Sequence, residues 1–567
     1  MRCQAASRKQ HRQARAAARA VLASPERGPE HGSPTAQPLD QPFSRPKPRL
    51  TAETTGRQNQ QPNPMMSVSV RVFVTMKRVG FSPLTAFSAA IIAVILLGWS
   101  SPAWAAEDED LTELVVRFGK TRWTEDNSIE LLADPRCAWE ARLDLLESAK
   151  SHIFISTYSW HVNEYGTRFR DALAEVVRSR MEENDEFMAR CLADATGMKM
   201  FSRAFDAVRT GGADVRSYNR TSWGMAPMYD GRMHDKLLIS DGREAIVGGR
   251  NYSDIYFNPQ KWWLDFGVLI EGAAVWDLQM IFLKSWSVSM DLANAKQFAW
   301  SMEHIRLRIR SLWATGRFPG GKSPIEEYLN ERFFPDYENP PGDTRVAVLY
   351  DNSMVWDRGP TAALLVELVK AADAEIDIMT PFPNFEPVLT NALIEAMDRG
   401  VLVRIFTNDR EAAIRGGAIR LAAFPTLIQL VDSGAEVWAW KANPKLLDEV
   451  ITADCAPAIM PPVALHGKVA RFDHELTIVH SSNFNIRSAY YNTEAGVAVM
   501  DRAFSARMKS LFDGLVTLHN FDLRCTNGDR QVVVDKLVKL LGQGDVEAMR
   551  QELGSKRRFL DGMSMLW

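Results

Sequence analysis

Cysteine is scarce in this chain, which has five cysteines among its 567 residues. No two have the Cys-x-x-Cys spacing, and no Cys and His residues are spaced as zinc ligands usually are. The sequence therefore argues against a zinc-organised domain. From residue 106 onward the cysteines are Cys137, Cys191, Cys455 and Cys525. Four cysteines allow three disulfide connectivities in an oxidising compartment, and buried free thiols are an equally good interpretation.

Residues 106–567 also lack a surplus of positive charge. They contain 53 Lys and Arg against 66 Asp and Glu, which gives a formal charge of −13. Non-specific binding to duplex nucleic acid depends on Lys and Arg side chains that neutralise phosphates. A nuclease function is therefore disfavoured, and no specific nucleic acid partner is expected.

Residues 1–75 lack the regular apolar spacing with which a helix or strand buries one face. They hold 12 Lys and Arg against 4 Asp and Glu, together with many Pro, Gln and Ala residues. Such a composition cannot form a core. The sequence predicts that this segment is disordered, or is an untranslated extension ahead of the true start codon.

A segment of different character begins at Met76. Lys77 and Arg78 precede an uncharged run over residues 79–106, which closes in Ala103-Trp104-Ala105. A basic start, an apolar centre and an Ala-x-Ala site are typical of a secretory signal peptide, here residues 76–105. The alternative is an uncleaved membrane anchor, because the uncharged run is long enough to span a bilayer. Both interpretations predict an exported protein, in the periplasm or on the periplasmic face of the inner membrane.

The most informative feature of the sequence is a motif that occurs twice, each time followed by an Asn ten residues beyond its last member. The two copies are His234-x-Lys236-x4-Asp241 with Asn251, and His466-x-Lys468-x4-Asp473 with Asn483. Two extended copies in similar surroundings indicate an internal duplication. We expect it to bring two imidazoles and two ammonium groups to one phosphate.

Each motif is predicted to lie on the first strand of a β-hairpin. Residues 233–240 are an apolar-rich strand that ends at Asp241-Gly242, and residues 464–472 are the corresponding strand of the second copy. Since residues two apart on a strand share a face, each His points the same way as its Lys. Asp241 and Asp473 fall at turns, where binding of backbone amides is favoured over substrate contact. The two Asn residues are predicted to reach the His–Lys end of the site.

Phosphodiester chemistry accounts for this set of side chains. Two Lys supply positive charge to the non-bridging oxygens without a metal, so no cofactor is predicted. One neutral His attacks phosphorus to give a phosphohistidine, while the other, protonated, serves the leaving oxygen. Asp265 and Glu494 occupy equivalent places, each followed by x-Gly-Val. Each is predicted to bond one His and so to set its protonation, although a solvated carboxylate at a strand end is the alternative.

Helix and strand patterns alternate in both halves of the chain, which predicts α/β units around a partly parallel sheet. The first half has predicted helices at 140–150 and 168–181 and strands at 152–158 and 188–194. The second half has predicted helices at 360–372 and 387–399 and strands at 375–381 and 401–407. The predicted divisions after the export segment are a first domain 106–286, a helical linker 287–344, a second domain 345–525 and a helical tail 526–567.

The doubled motif is similar to that of the phospholipase D superfamily. The match is closer to the bacterial cardiolipin synthase branch in residues 233–243, 247–254, 482–488 and 492–494, and it covers about residues 130–520. The resemblance implies two duplicated α/β/α sandwich domains related by a pseudo-twofold axis, with the active site at their interface. It also implies a covalent phosphohistidine formed without metal, with His234 as the nucleophile and His466 as the acid and base.

Two departures from the family pattern bear on function. The usual Gly-Ser-x-Asn becomes His480-Ser481-Ser482-Asn483 in the second copy, so that Ser481 remains as the hydroxyl expected to face the phosphate. Moreover, the best-known cardiolipin synthase type has two N-terminal membrane helices, whereas this sequence has a single export segment. That difference favours a variant synthase or a related hydrolase.

Three enzymatic functions are compatible with these patterns. The first is transfer of a phosphatidyl group to a lipid hydroxyl, as in a cardiolipin synthase. The second is hydrolysis of phospholipid head groups through the same intermediate, and the third is the disfavoured exported nuclease. A binding protein with degenerate motifs is the least favoured, because both copies are intact. The expected partners are phospholipids at a membrane surface, and the sequence makes no prediction of oligomeric state.

Overall fold

Helices and strands alternate along the computed structural model, which describes most of the chain between residues 110 and 519. The described residues are 110–195, 197, 205–218, 231–287, 289–291, 341–352, 358–408, 417–440 and 462–519. Within these ranges no helix is both long and apolar enough to cross a membrane. The predictions for 1–75, for 76–105 and for the tail 526–567 lie outside the described residues, as does most of the linker 287–344.

The elements of the first half surround the first motif. Its helices are α1 (Leu111–Gly119), α2 (Pro135–Ser148), α3 (Glu164–Glu183), α4 (Asp206–Thr210), α5 (Asp254–Phe257) and α6 (Ala274–Ser287). Its strands are β1 (Trp123–Leu132), β2 (His152–Thr157), β3 (Met188–Asp194), β4 (Asp214–Tyr218), β5 (Arg232–Met233), β6 (Leu237–Ser240), β7 (Glu244–Gly248), β8 (Trp263–Leu264), β9 (Gly267–Glu271) and β10 (Met290–Asp291).

The elements of the second half follow a similar order. Its helices are α7 (Pro360–Ala371), α8 (Pro387–Asp398), α9 (Gly417–Asp432), α10 (Ile486–Tyr490) and α11 (Arg502–His519). Its strands are β11 (Thr344–Asp351), β12 (Glu375–Met379), β13 (Leu402–Asn408), β14 (Glu436–Trp440), β15 (Ala464–Leu465), β16 (Val469–Phe472), β17 (Leu476–His480) and β18 (Asn492–Met500).

Local sequence explains where several of these elements begin. The helix predicted at 140–150 starts earlier, because Pro135 occupies its first turn and the Asp134 side chain accepts a hydrogen bond from the Arg136 amide. Strand 188–194 has the predicted bounds. The strand β2 is buried along its whole length, as expected for a central strand of an α/β sheet. Of the cysteines, Cys137 is disulfide-bonded and Cys191 is a buried free thiol.

The longer strands form one mixed sheet in which the six strands nearest a central seam follow the same order on both sides. The seam is the antiparallel pair β1–β11. On one side the order is β9, β7, β6, β2, β3, β4 and β10; on the other it is β18, β17, β16, β12, β13 and β14. A twofold relation between the two halves would give this mirrored order. The predicted α/β class with a partly parallel sheet is confirmed.

Helices cover both faces of the sheet, and one of the resulting cores is shared by the two halves. In that core Phe282 of α6 and Phe512 of α11 lie with Val346 and Val497 of the seam region. The other face carries a core with α2 and α3 in the first half and another with α7, α8 and α9 in the second. Helix α1 packs into the second of these through Leu114, although it precedes the first half in sequence. The described residues from Asp110 onward belong to one compact unit.

The motif strands exchange partners between the halves. Strand β5 pairs in parallel with β18 of the second half, and β15 pairs in parallel with β8 of the first half. The predictions of continuous strands at 233–240 and 464–472 are therefore wrong. In each copy the chain leaves its own sheet to pair with the other half, and the His-to-Lys segment lies between the two short strands.

Candidate active site

His234 is held in place by the second half of the protein. Its backbone amide donates to the carbonyl of Thr493 at 3.0 Å. Its Nδ1 lies 2.8 Å from a carboxylate oxygen of Glu494. Because a carboxylate only accepts, Nδ1 carries the proton and the Nε2 lone pair is left for substrate. The ring of Tyr158 meets the imidazole edge-on, with centroids 5.3 Å apart.

His466 is held in the reciprocal way by the first half. Its backbone amide donates to the carbonyl of Leu264 at 2.7 Å, and its Nδ1 lies 2.6 Å from Asp265. Two aromatic rings contact this imidazole: Tyr256 at 5.3 Å and Trp263 at 5.4 Å between centroids. Each predicted carboxylate thus bonds one imidazole, and each bond crosses between the halves.

The two lysines are buried beside the imidazoles. Lys236 Nζ donates to the carbonyl of His234, and Lys468 Nζ donates to that of His466. The Nζ of Lys468 also lies 2.8 Å from Nδ1 and 3.1 Å from Nε2 of His466. Burial lowers the pKa of Lys236 to about 8 and that of Lys468 to about 7. Within the described ranges no group of three or more His, Cys, Asp or Glu could hold a metal ion.

The two motif copies lie close enough to affect each other's pKa values. Burial lowers the pKa of His234 to about 4, and the charge of Lys468 from the other copy contributes. Burial and Lys468 lower the pKa of His466 to about 3, with a contribution from Lys236. Both imidazoles are therefore neutral at pH 7 in the free site.

The carboxylates remain ionised although they are fully buried. Burial acts to raise the pKa of Glu494, but His234 and Lys236 outweigh it and hold that pKa at about 2. Burial is likewise outweighed at Asp265, where Lys468 and His466 lower the pKa. Each carboxylate thus supplies a fixed negative charge to its imidazole.

Asp241 and Asp473 lie away from the imidazoles and bind backbone amides, the role favoured at turns. The Asp241 carboxylate accepts from the amides of residues 150, 151 and 152 at 2.7 to 3.0 Å. Asp473 accepts in the same way from the amides of residues 373, 374 and 375. In each half this carboxylate ties the hairpin turn to the start of the neighbouring strand.

The remaining predicted residues differ between the copies. Asn251 uses its side chain within the protein, because Oδ1 accepts from Thr157 at 3.1 Å and Nδ2 donates to the Tyr256 hydroxyl at 3.2 Å. Asn483 has a buried side-chain oxygen for which the described part of the chain provides no hydrogen bond. The Ser481 hydroxyl, expected to face the phosphate, donates to Glu494 at 2.5 Å.

His480 occupies the position where the family pattern has glycine. It fits because the facing residue is Gly496, where a Cβ atom would lie only 2.1 Å from its ring. Its Nδ1 accepts from the Ser482 amide at 3.0 Å, which steadies the turn that carries Ser481. The fold therefore accommodates a histidine side chain at this position.

Sequence reasoning missed the buried acids and the aromatic residues of the site. Burial raises the pKa of Asp235 and of Asp351 to about 7, and Asp351 faces Glu494 across the β11–β18 pair. Tyr256 and Trp263 were also not singled out as site residues. The repeat gave no signal for them, because the second copy has Ser488 and Asn492 at the corresponding offsets.

Several known proteins resemble this chain in sequence. Residues 365–516 match the family model described as cardiolipin synthase, PLD-like domain. Cardiolipin synthase 1 of Bacillus cereus is 24% identical over 392 residues, which are 68% of this chain and 65% of that protein. Cardiolipin synthase B of Escherichia coli K12 is 23% identical over 408 residues, or 70% of this chain and 82% of that protein. The match thus spans slightly less than two thirds of the Bacillus cereus relative.

A solved structure has the same fold. The phosphatidylserine synthase of Haemophilus influenzae Rd KW20 superposes with a TM-score of 0.57 at 14% sequence identity, covering 81% of this chain and 100% of that one. The family-model match and the similarity to cardiolipin synthases support the phospholipase D superfamily, in its cardiolipin synthase branch.

Proposed function

We propose that this protein is a metal-independent phosphatidyltransferase of cardiolipin synthase type. One observation carries the proposal: two imidazoles, each bonded at Nδ1 by a carboxylate from the opposite half, each lie beside a buried lysine of their own motif. That arrangement suits a phosphodiester attacked from one side and released on the other. The similarity to cardiolipin synthases of Bacillus cereus and Escherichia coli supports a phospholipid substrate.

In the first step the donor phospholipid is cleaved. Nε2 of His234 attacks phosphorus, the bond from phosphorus to the head-group oxygen breaks, and a phosphatidyl-histidine forms. His466 gives a proton to the departing oxygen. Lys236 and Lys468 stabilise the negative charge on the non-bridging oxygens.

His466 must gain a proton before it acts as an acid, since it is neutral in the free site. The bound phosphodiester brings a negative charge next to the imidazole, which raises its pKa. Asp265 supports the resulting imidazolium from the Nδ1 side. Substrate binding and acid formation are therefore coupled.

In the second step the phosphatidyl group moves to an acceptor. His466, now neutral, takes the proton of the acceptor hydroxyl while the acceptor oxygen bonds to phosphorus. The bond between phosphorus and His234 breaks, and the free imidazole returns. A lipid hydroxyl as acceptor gives cardiolipin or a relative, whereas water gives phosphatidic acid.

Products formed from labelled phosphatidylglycerol in mixed micelles test the function. We expect labelled cardiolipin as the main product of the purified protein. Phosphatidic acid alone would replace the transferase with a phospholipase D-type hydrolase. Cleavage of DNA without any lipid product would overturn both.

We further propose that the protein acts at the periplasmic face of the inner membrane. The proposal rests on the export signal in residues 76–105. A fusion of residues 76–120 to alkaline phosphatase should give phosphatase activity in intact cells, since that enzyme is active only after export. A matched fusion lacking residues 79–105 serves as the control, and equal activity of both fusions would contradict export.

A further inference from the structure

The two imidazoles differ in their surroundings although the motifs are repeated, since one aromatic ring, Tyr158, contacts His234 and two, Tyr256 and Trp263, contact His466. Five residues after each motif Asn, the first copy has Tyr256 and the second has Ser488. Two residues before each carboxylate, the first copy has Trp263 and the second has Asn492. Polar residues in one copy thus correspond to aromatic residues in the other.

Beside His234 the polar pair serves the carboxylate. Ser488 donates to Glu494 at 2.8 Å and Asn492 donates to the same oxygen at 2.9 Å. With the Ser481 hydroxyl and the imidazole, Glu494 therefore accepts four hydrogen bonds. The surroundings of His234 are accordingly polar on the side of its carboxylate.

Beside His466 the aromatic pair contacts the imidazole itself. Tyr256 meets the ring edge-on and Trp263 lies against it at a tilt of 34°. The Tyr256 hydroxyl already accepts a hydrogen bond from Asn251, so its ring is fixed and its polar atom is engaged. Tyr256 is 3% exposed, whereas Trp263 is only partly buried.

The aromatic surface continues across the boundary between the halves. Trp263 packs with the partly buried Phe382 of the second half against Ala464, two residues before His466. Rings from both halves thus pack beside the segment that carries His466, and one of them, Trp263, also contacts its imidazole. We call Tyr256, Trp263 and Phe382 the aromatic wall.

We propose that the aromatic wall is the acceptor side of the site and favours a lipid hydroxyl over water in the second step. This inference rests on the proposed function. Ring faces offer apolar surface to the glycerol and upper chain of a lipid alcohol, but they offer a water molecule few of the hydrogen bonds it needs to stay near His466. Water is therefore depleted at the base that would activate it, and the phosphohistidine survives until the acceptor arrives.

The test exchanges the wall residues for those that the other copy carries. Trp263→Asn and Tyr256→Ser should each raise the ratio of phosphatidic acid to cardiolipin by about tenfold, as expected when an apolar contact to one competing acceptor is lost. Trp263→Phe and Tyr256→Phe keep a ring against His466 and should keep the ratio near that of the original protein. Trp276→Asn, a partly buried tryptophan on α6, is the matched control.

The outcomes separate this inference from the proposed function. If Trp263→Asn slows transfer and hydrolysis in parallel with an unchanged ratio, the rings are only structural and the inference is overturned. If the original protein forms no transfer product with any lipid alcohol, the proposed function itself fails. Should Tyr256→Ser not fold, Trp263→Asn still decides the matter, because Trp263 is partly exposed.

Discussion

His234 and His466 differ in what surrounds them, and this difference bears on which one becomes covalently modified. Lys468 Nζ lies within 3.1 Å of the free nitrogen of His466. In the described part of the chain no hydrogen bond is made to Nε2 of His234. The hydrogen bond of that ring is made by Nδ1, to Glu494. His234 is therefore the imidazole more open to attack phosphorus, which agrees with the role that the family resemblance implies.

Single replacements of the two histidines should consequently have different effects. In His234→Ala no radiolabel from phosphatidylglycerol should remain on the denatured protein, because the nucleophile is gone. In His466→Ala the adduct should accumulate, because its breakdown lacks a base, and turnover should fall by about 10²-fold or more. An adduct in His234→Ala that is absent in His466→Ala would exchange the two roles.

The protonation of the free site predicts an unusual pH profile. The pKa of His234 is lowered to about 4, so the neutral nucleophile persists well below the ordinary pKa of histidine. As pH rises, Lys468 loses its charge near pH 7 and Lys236 near pH 8, which removes the cations that hold the phosphate. The value of kcat/KM should therefore decline below about pH 4 and above about pH 7.

Glu494→Gln provides a check on the acid limb of that profile. Because the Glu494 charge raises the pKa of His234, its removal should move the acid limb to still lower pH while it reduces the rate. Measurement of kcat/KM against pH in the Glu494→Gln variant and in the original protein tests this expected shift. An acid limb at the ordinary histidine value in the original protein would contradict a desolvated His234.

At the scale of the element, the sequence predicted strands and helices better than it predicted their partners. The strand 188–194 and the helix that begins at Pro360 follow from local patterns, because apolar periodicity and capping residues are read within one segment. The break in each motif strand, between β5 and β6 and between β15 and β16, could not be predicted from a local pattern. It depends on pairing with β18 and β8, each more than 190 residues away in sequence from the strand that it joins.

The residues of the candidate site likewise differ in whether the sequence alone could predict them. His234, Lys236, His466 and Lys468 were identified because the chemistry needs those residue types at a repeated spacing. Their bonds to Glu494 and Asp265 were predicted because those residues also repeat. Tyr256 and Trp263 were missed because they do not repeat, and their contact with His466 arises only when the halves meet.

The turn carboxylates of Asp241 and Asp473 stabilise the fold. Their loss should therefore lower the free energy of unfolding and leave the rate of the reaction unchanged. Asp241→Asn keeps a residue that tolerates the positive φ of 54° but loses the charge that binds three amides. We expect a loss of roughly 1–3 kcal/mol in urea unfolding, with unchanged KM for lipid. Asp185→Asn, at an exposed position, should change stability by less than about 0.5 kcal/mol. A fall in turnover at full stability would instead give Asp241 a part in the reaction.

At the scale of the whole molecule, the two halves are joined by a continuous sheet and a shared core. Asn127 stabilises the seam between β1 and β11. Its side chain donates to the carbonyls of Thr124 and Thr344 and accepts from the amide of Ala274 at 2.8 Å. Val346 and Val497 lie in the same core as Phe282 of the first half. Neither half can open without exposing apolar surface of the other.

We therefore predict that the described halves unfold together, although chains of this length often unfold in stages. Hydrogen exchange measured by mass spectrometry at increasing urea should give β7 of the first half and β17 of the second half the same free energy of opening. Asn127→Ala should lower both values equally, by roughly 1–3 kcal/mol, because the amide that it removes bonds both sides of the seam. Different opening energies for β7 and β17 would show that each half is stable without the other. In that case the site, whose His–carboxylate pairs each need both halves, could be lost while the individual folds persist.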